Sequence, residues 1–375
     1  MTTVLVIDNS LDVTGASRAL LKTVGDMGRD EFRFLFVFPV SSLCIAEVEK
    51  AGYPAVGLPF IEISRRPAQV AYYMPRLLTN TARLRKLVSR EKVDIVHVND
   101  IYNMAGIFLK IFSRVKLVTH VRRMPESFPR KLYNAWGRLH IKYADRIIAV
   151  SEANRNGLIP NHKTEVIYDP LPDTEKHQRY SPAKILDTHV KILCLANFTQ
   201  GKGQRYALQI LERAVREFAG TEFSLSFIGG DFGLEKNRKY REGLEATAAE
   251  MGIADKVTFS GPSHDVEKEM KSHDVVFNLS DSESFSRVTL EALFYGVPVL
   301  ATDVGGTREM LADGINGILV PAKKTEGMFR GFRQLLTDNT SRTMRAEAGY
   351  AFVRQMFSTE NTSFRVRAVY EQLCL

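Results

Sequence analysis

The 375-residue chain has only three cysteines and one tryptophan. Cys44, Cys194 and Cys374 are scattered, odd in number and without metal-ligand spacing. That excludes a disulfide framework and a thiolate metal centre, and leaves reduced core thiols as the expectation. Long apolar runs are also missing. The longest, such as Phe34 to Val40, fall far short of the roughly 18 residues a membrane-spanning helix needs. No signal peptide is expected either, because Met1 leads directly into the strand-like TVLVID. A cytoplasmic protein is therefore expected. The chain shows no internal repeat, low-complexity segment, zinc-finger spacing or aromatic RNA-binding signature, so nucleic acid is not an expected partner despite a net charge of +8.

What is present is an ordinary globular composition, 45% apolar and 25% charged, in a chain long enough for two α/β domains with separate cores. The charge is uneven. Residues 1–172 carry 25 Lys and Arg against 16 Asp and Glu, and the remainder carries 26 against 27. Within 65–146 the ratio is 18 to 5. A basic surface of this kind seeks an anionic partner, which among the non-nucleic classes means an acidic membrane or a pyrophosphate-linked lipid.

Strand-like runs at 3–8, 32–38, 55–58, 94–98, 116–120 and 146–150 alternate with helical patterns. From Pro170 to Thr188 the chain turns polar and proline-bearing, and strand-like runs resume at 191–196, 223–228, 257–261, 274–280 and 298–301. Such alternation predicts two open parallel sheets wrapped by helices, with ligands beyond the strands' carboxyl ends. The expected domains are 1–172 and 190–357, joined by a linker over 173–189. His97, Asn99, Asp100 and His120 fall at strand ends in the first. His120 is followed by the polar loop VRRMPESFPRK, in which Arg122 and Arg123 either meet an anionic acceptor or are solvated.

The densest chemistry lies between Asp281 and Glu309. Glu283 closes a buried strand, Glu291 sits inside a short helix ending at Gly296-Val297-Pro298, and Gly305-Gly306-Thr307 follows the next strand. Helix N-termini and glycine turns favour anions, whereas carboxylates accept hydrogen bonds from sugar hydroxyls. The set suits a phosphorylated sugar, although on spacing alone each glutamate reads first as a solvated surface acid. A second anion-binding geometry follows at Asn197-Phe198-Thr199-Gln200-Gly201-Lys202-Gly203, where Lys202 stands beside a helix N-terminus with Arg205 in its first turn. Gly229-Gly230-Asp231-Phe232-Gly233 lacks the full spacing of a dinucleotide fingerprint. Asp173-Thr-Glu175 and Asp281-Ser-Glu283 are the nearest acidic pairs, and neither is a typical metal-binding DxD, so no metal and no other cofactor is expected.

Glu283-Ser284-Phe285-Ser286, Glu291-Ala292-Leu293, Gly296-Val297-Pro298-Val299, Gly305-Gly306 and Glu309 resemble, in order and spacing, the signature of retaining GT-B glycosyltransferases of family GT4. The resemblance spans nearly the whole chain, strongest over 256–321 and weakest over 30–90. It implies two Rossmann-like domains facing each other across a cleft, with a last helix, about 358–375, crossing back onto the first. It also implies a donor site built from Gly15, Asn197, Lys202, Arg205, Glu283, Ser284, Phe285, Ser286 and Glu291. Glu283 would contact donor-sugar hydroxyls, Glu291 the ribose, Lys202 the diphosphate, and His120 the donor hexose. His120, Glu283 and Lys202 are the expected catalytic residues. The chain departs from the family where Asn197 replaces an Arg, where Ala16 replaces the second glycine of the first loop, and where Asp169-Pro170 replaces Asn-Gly.

Residues 68–92 form a basic amphipathic pattern. Val70, Tyr73, Met74, Leu77, Leu78, Leu84, Leu87 and Val88 follow helical spacing, with Arg76, Arg83, Lys86, Arg90 and Lys92 mostly elsewhere. The pattern fits a packing helix with a solvated face. It also fits docking on an anionic bilayer through Tyr72, Tyr73, Arg76, Arg83 and Lys86, peripheral to the inner face of the membrane. The resulting expectation is a metal-independent retaining hexosyltransferase in polysaccharide or glycolipid biosynthesis. Its donor would be a UDP-sugar first and a GDP-sugar next, and its acceptor a glycan or a polyprenyl-diphosphate-linked sugar. A sugar-nucleotide-binding subunit without transfer activity and a sugar-nucleotide epimerase of the same fold stay open as alternatives.

Overall fold

The computed structural model describes residues 1–28, 30–60, 67–172, 188–311 and 314–375. The chain divides into two units, Met1–Pro170 with Thr359–Leu375, and Leu171–Ser358. Of the expected linker, only Thr188 and His189 lie within the described residues, and His189 already begins a strand.

In the first unit, strands β1 (Thr2–Ile7), β2 (Phe32–Pro39), β3 (Ala55–Leu58), β4 (Ile95–Asn99), β5 (Lys116–Val121), β6 (Arg146–Ala149) and β7 (Thr164–Val166) form one sheet. Its order is β3-β2-β1-β4-β5-β6-β7, and every neighbouring pair is parallel. The strands read as unbroken apolar runs because helices cover both faces of the sheet. One face holds Leu5, Ile7, Val96, Val98, Leu117 and Val121 against helices that include Pro67–Glu91. The other holds Val4, Val6, Phe34, Phe36, Ile95 and Val118. The Thr359–Cys374 helix supplies Val366, Val369, Tyr370 and Leu373 to that second face.

In the second unit, β8 (His189–Leu195), β9 (Glu222–Ile228), β10 (Val257–Ser260), β11 (Val275–Asn278), β12 (Val299–Thr302) and β13 (Ile318–Val320) form a parallel sheet of order β10-β9-β8-β11-β12-β13. Its core is strongly aromatic, with Phe198, Phe223, Phe227, Phe277, Phe329 and Phe332 all buried.

Both sheets reverse their winding once. The reversal falls between β1 and β4 in the first and between β8 and β11 in the second. In an open parallel sheet the loops that leave such neighbouring strands diverge to opposite faces and open a crevice at the carboxyl ends.

Cys44 and Cys194 are buried as expected, but Cys374 is exposed at the end of its helix. The basic pattern over 68–92 is a single helix, Pro67–Glu91, with Pro75 inside it. Its expected membrane residues divide between two faces. Tyr72, Arg83 and Lys86 are exposed, whereas Tyr73 is half-buried on the stripe that continues through Leu77, Asn80, Leu84 and Leu87 into the core.

Candidate active site

In the second unit the crevice between β8 and β11 is closed by a short bond. Lys202, in the loop after β8, donates from Nζ to Oε1 of Glu283, in the loop after β11, at 2.7 Å. Ser280 donates its hydroxyl to the same Oε1 at 2.7 Å. Ser280 is itself held from behind, because its carbonyl accepts from Thr302 Oγ1 at 2.5 Å. The carboxylate side chain is only 14% exposed and the lysine 35%, so the pair sits at the mouth of the loops, half in solvent.

Glycines make these loops approach one another. Gly203 has φ +81°, and a Cβ there would stand 2.3 Å from the carbonyl oxygen of Leu279. Gly305 has φ +45°, and a Cβ there would stand 1.8 Å from the carbonyl oxygen of Glu283, which also accepts from the Gly306 amide at 3.1 Å. No side chain fits either place, so the loops after β8, β11 and β12 pack backbone to backbone. The helix Gln204–Glu217 begins directly after Gly203, and its first amides carry the positive end of the helix dipole beside Lys202.

Glu291 lies on the helix Arg287–Phe294, where Arg287 donates to its Oε1 at 3.0 Å. Both side chains are less than a fifth exposed, so the arginine fixes the carboxylate's direction. Sequence reasoning missed Arg287, although its i,i+4 spacing from Glu291 was visible. Asp281 accepts from Tyr206 at 3.2 Å, and its backbone N–H donates to the Gly201 carbonyl at 2.8 Å.

Three residues expected at the donor site have structural duties in their side chains. Ser286 is the N-cap of the Arg287–Phe294 helix and is buried in a network with Asn278 and Thr289. Phe285 is buried edge-on against Phe357. Asn197 accepts from the Gly230 amide at 2.9 Å and ties two turns together. Ser284 is half-buried between Glu283 and Phe285, and Arg205 is exposed in the first turn of its helix. Asp173 and Glu175 lie outside the described residues.

The first unit has its own cluster at the β1–β4 crevice. Asn99, closing β4, donates to Asp8 at 2.6 Å and accepts from Arg122 Nε. Arg122 is buried and so does not lie in solvent, one of the two expectations for it. Its Nη1 is 2.7 Å from Asp169, and both side chains are under a tenth exposed. Burial of the charge requires this partner. Arg123 reaches toward solvent, lying over the Tyr102 ring at 5.0 Å with its Nε 3.5 Å from Asp100. Asp100 takes a left-handed φ of +148°, and burial raises its pKa. Gly15 is exposed as the first residue of the helix Gly15–Asp26, capped by Thr14.

His120 is buried near the end of β5, and neither ring nitrogen has a hydrogen-bond partner among the described residues. Its ring is 5.4 Å from that of His97, whose Nδ1 is 2.6 Å from the Tyr370 hydroxyl. Burial, followed by the Arg122 charge, pushes the His120 pKa well down, so the ring is neutral near pH 7. A neutral imidazole both donates and accepts, which is what a sugar hydroxyl requires.

The model for glycosyl transferases group 1 matches residues 178–352, and that for glycosyltransferase family 4 matches residues 41–173. The chain belongs to this glycosyltransferase family. Its two parallel α/β units are those of the GT-B fold, and it is a transferase. The chain is 25% identical over 333 residues to N-acetyl-alpha-D-glucosaminyl L-malate synthase of Bacillus anthracis, covering 83% of each protein. It is 32% identical over 120 residues to lipopolysaccharide core biosynthesis glycosyltransferase LpsE of Rhizobium meliloti, which is 32% of this chain but only 35% of that protein. Among solved structures, Anabaena HepE in complex with UDP and glucose superimposes with a TM-score of 0.82, covering 99% of this chain and 100% of that one at 19% identity. Among the described residues no helix of this glycosyltransferase is long and apolar enough to cross a membrane.

Proposed function

We propose that the chain moves a hexose from a UDP-sugar, with a GDP-sugar as the next choice, to a glycan or polyprenyl-diphosphate-linked acceptor in polysaccharide or glycolipid assembly, with retention of anomeric configuration. The observation that carries this reading is the Lys202–Glu283 pair at the β8–β11 crevice, flanked by glycine turns and by the Arg287-oriented Glu291. Lys202 and the amides at the start of the Gln204–Glu217 helix stabilise the leaving diphosphate. Glu283, already shaped by two donors, exchanges them for hexose hydroxyls. Glu291 accepts from the ribose. His120, neutral and without a hydrogen-bond partner among the described residues, takes a hydroxyl of the donor hexose. The departing phosphate oxygen accepts the acceptor's proton, so no separate base and no metal is needed.

UDP is favoured because HepE was solved with UDP and glucose, and also with UDP-glucose. A glycan or lipid-borne acceptor is supported by the name of the Rhizobium relative. Tyr72, Met74 and Leu78 are large exposed apolar side chains on the Pro67–Glu91 helix, which also exposes Arg83 and Lys86. That combination suits an anionic bilayer at the cytoplasmic face.

The test is thermal stabilisation by UDP, GDP, ADP and their hexose conjugates in wild type and Glu291→Ala. Stabilisation by the uridine series, lost in the variant, supports the donor and the ribose role. Stabilisation by guanosine nucleotides alone moves the donor to GDP-sugars, and no shift with any nucleotide overturns the proposal.

A further inference from the structure

His97 and His120 stand on neighbouring strands of the first sheet and share one of its faces. In the β4–β5 register His97 is opposite Val118 and Asn99 is opposite His120. The two imidazoles are therefore diagonal neighbours, with ring centres 5.4 Å apart. On its β6 side His120 is opposite Ile148. An isoleucine offers no hydrogen bond, and the amide of Asn99 is engaged at both ends, by Asp8 and by Arg122. Among these register neighbours, His97 is the polar side chain left to hold His120.

The far side of His97 fixes which protons are present. Its Nδ1 is 2.6 Å from the hydroxyl of Tyr370, a fully buried residue whose ring packs on Phe32 and Phe34. His97 Nε2 and both nitrogens of His120 are buried with no hydrogen-bond partner among the described residues. Burial lowers His97 to about 3 and raises the Tyr370 phenol, so the contact joins a neutral imidazole to an intact O–H. Two proton arrangements are open to it. If Nδ1–H donates to the hydroxyl, the phenol proton is left without an acceptor and Nε2 is left as an unused acceptor. If the phenol donates to Nδ1, only Nε2–H is left over. Each stranded buried group is costly, so the second arrangement is favoured. His97 then carries its proton on Nε2, on the side of the ring away from the phenol.

We propose that Tyr370 and His97 are positioning residues for His120: the phenol sets the His97 tautomer, and a small turn of either ring brings His97 Nε2–H onto the nearer nitrogen of His120. That nitrogen becomes an acceptor, so the proton of the neutral His120 ring sits on the other one. His120 thereby meets its ligand as a hydrogen-bond donor, one of the two roles a neutral imidazole would otherwise share. The assignment rests on the donor-sugar reading only in naming a hexose hydroxyl as that ligand. It also ties the last helix to the site, since Tyr370 is 273 positions from the histidine it orients.

The experiment is long-range proton–nitrogen correlation NMR of the imidazoles in the full chain near neutral pH, for wild type, Tyr370→Phe, His97→Gln and His97→Leu. Turnover of UDP-glucose and thermal stabilisation by UDP are measured on the same samples. In wild type His97 should show a bare Nδ1 and a protonated Nε2, and His120 a single tautomer. Tyr370→Phe keeps the ring against Phe32 and Phe34 but removes the phenol, so His97 should exchange between tautomers and His120 with it. Turnover should fall by up to about tenfold, the worth of one hydrogen bond, with stabilisation by UDP unchanged. A glutamine amide accepts at one end and donates at the other, so His97→Gln should keep a single His120 tautomer and turn over about tenfold faster than His97→Leu. The inference is overturned if His97 is protonated on Nδ1, if the His120 tautomer ignores Tyr370→Phe, or if the Gln and Leu variants behave alike. The NMR needs no nucleotide, which separates the two readings. The expected tautomers without any UDP shift remove the donor assignment and leave the positioning pair. A UDP shift with His97 protonated on Nδ1 does the reverse.

Discussion

Lys202 and Glu283 are 81 positions apart in sequence, yet their side chains meet at 2.7 Å because the two strands they follow are neighbours at the reversal of the second sheet. Each of the pair is the counter-charge of the other until a ligand enters. A diphosphate competes for the lysine and a sugar hydroxyl for the carboxylate, so a nucleotide sugar would separate them and satisfy both.

Lys202→Ala should lower transfer about 10²–10³-fold, the usual loss when one donor to a developing anion is removed. Glu283→Gln should lower transfer to a similar degree while leaving UDP affinity within about threefold, since it changes the hexose contact only. The double substitution should cost less than the product of the two. Initial rates of donor turnover and calorimetric titration with UDP test this, and strictly multiplicative losses would show that the pair does not act as a unit.

Gly203→Ala should destabilise the second unit by about 3 kcal/mol or more, combining left-handed backbone strain with a clash against Leu279. Gly220→Ala provides the contrast: φ is +87° there, but the space around it is open, so about 1–2 kcal/mol is expected. Urea midpoints of the two variants should differ clearly, and equal midpoints would mean that the loops after β8 and β11 can move apart.

Arg122→Ala leaves Asp169 as an uncompensated buried charge and should cost about 3–5 kcal/mol of stability. Asp169→Leu together with Arg122→Met should recover most of that. Thermal unfolding checks both. A stable Arg122→Ala that fails only in acceptor use would restore the direct role that the sequence had suggested for this arginine.

Stability of the first unit should fall on acidification below about pH 6.5, the ordinary histidine value. Burial lowers His97 to about 3 and His140 to about 4, and it holds His120 well below the usual range. Between those values and 6.5 the unfolded chain binds protons that the folded one refuses, so stability rises with pH across that window. Each histidine contributes at most about 1.4 kcal/mol per pH unit, so the three together contribute up to about 4. Asp100, with its raised pKa, offsets part of this at the acidic end. Urea unfolding at pH 7 and pH 5 measures the slope, and His140→Gln should reduce it by roughly a third. A flat profile would mean that the histidines are protonated in the folded chain.

Strands buried on both faces were legible in the sequence, as with Phe32 to Phe38, apolar but for Arg33, and the run that includes Ile95 to Val98. The three-residue edge strand Thr164–Val166 was not, because an edge needs little apolar content and the segment is too short to show a period. Lys202, Glu283 and Glu291 stand out in the sequence because chemistry and local spacing coincide there, and the structure brings the first two into contact. The burial of Arg122 was not legible because its partners, Asn99 and Asp169, lie 23 and 47 positions away and the loop around it looks solvated. Asn197 was read as a weakened ligand, whereas its bond to Gly230 joins turns 33 positions apart. The two faces of the Pro67–Glu91 helix were merged for a related reason. Helical period alone does not say that Phe60, Tyr102 and Asn103 wait on one side of it.

The Thr359–Cys374 helix has a consequence for synthesis. It packs Val366, Val369, Tyr370 and Leu373 into a core whose other members all precede residue 170, and Tyr370 holds His97. As the chain leaves the ribosome, the first unit therefore emerges with part of one face of its sheet uncovered, and the whole of the second unit must be made before the rest of the cover arrives. At about 5–20 residues per second that delay is roughly 10–40 s. The second unit, continuous in sequence, can complete its core first, so the part of the protein translated earlier is the part that finishes folding later.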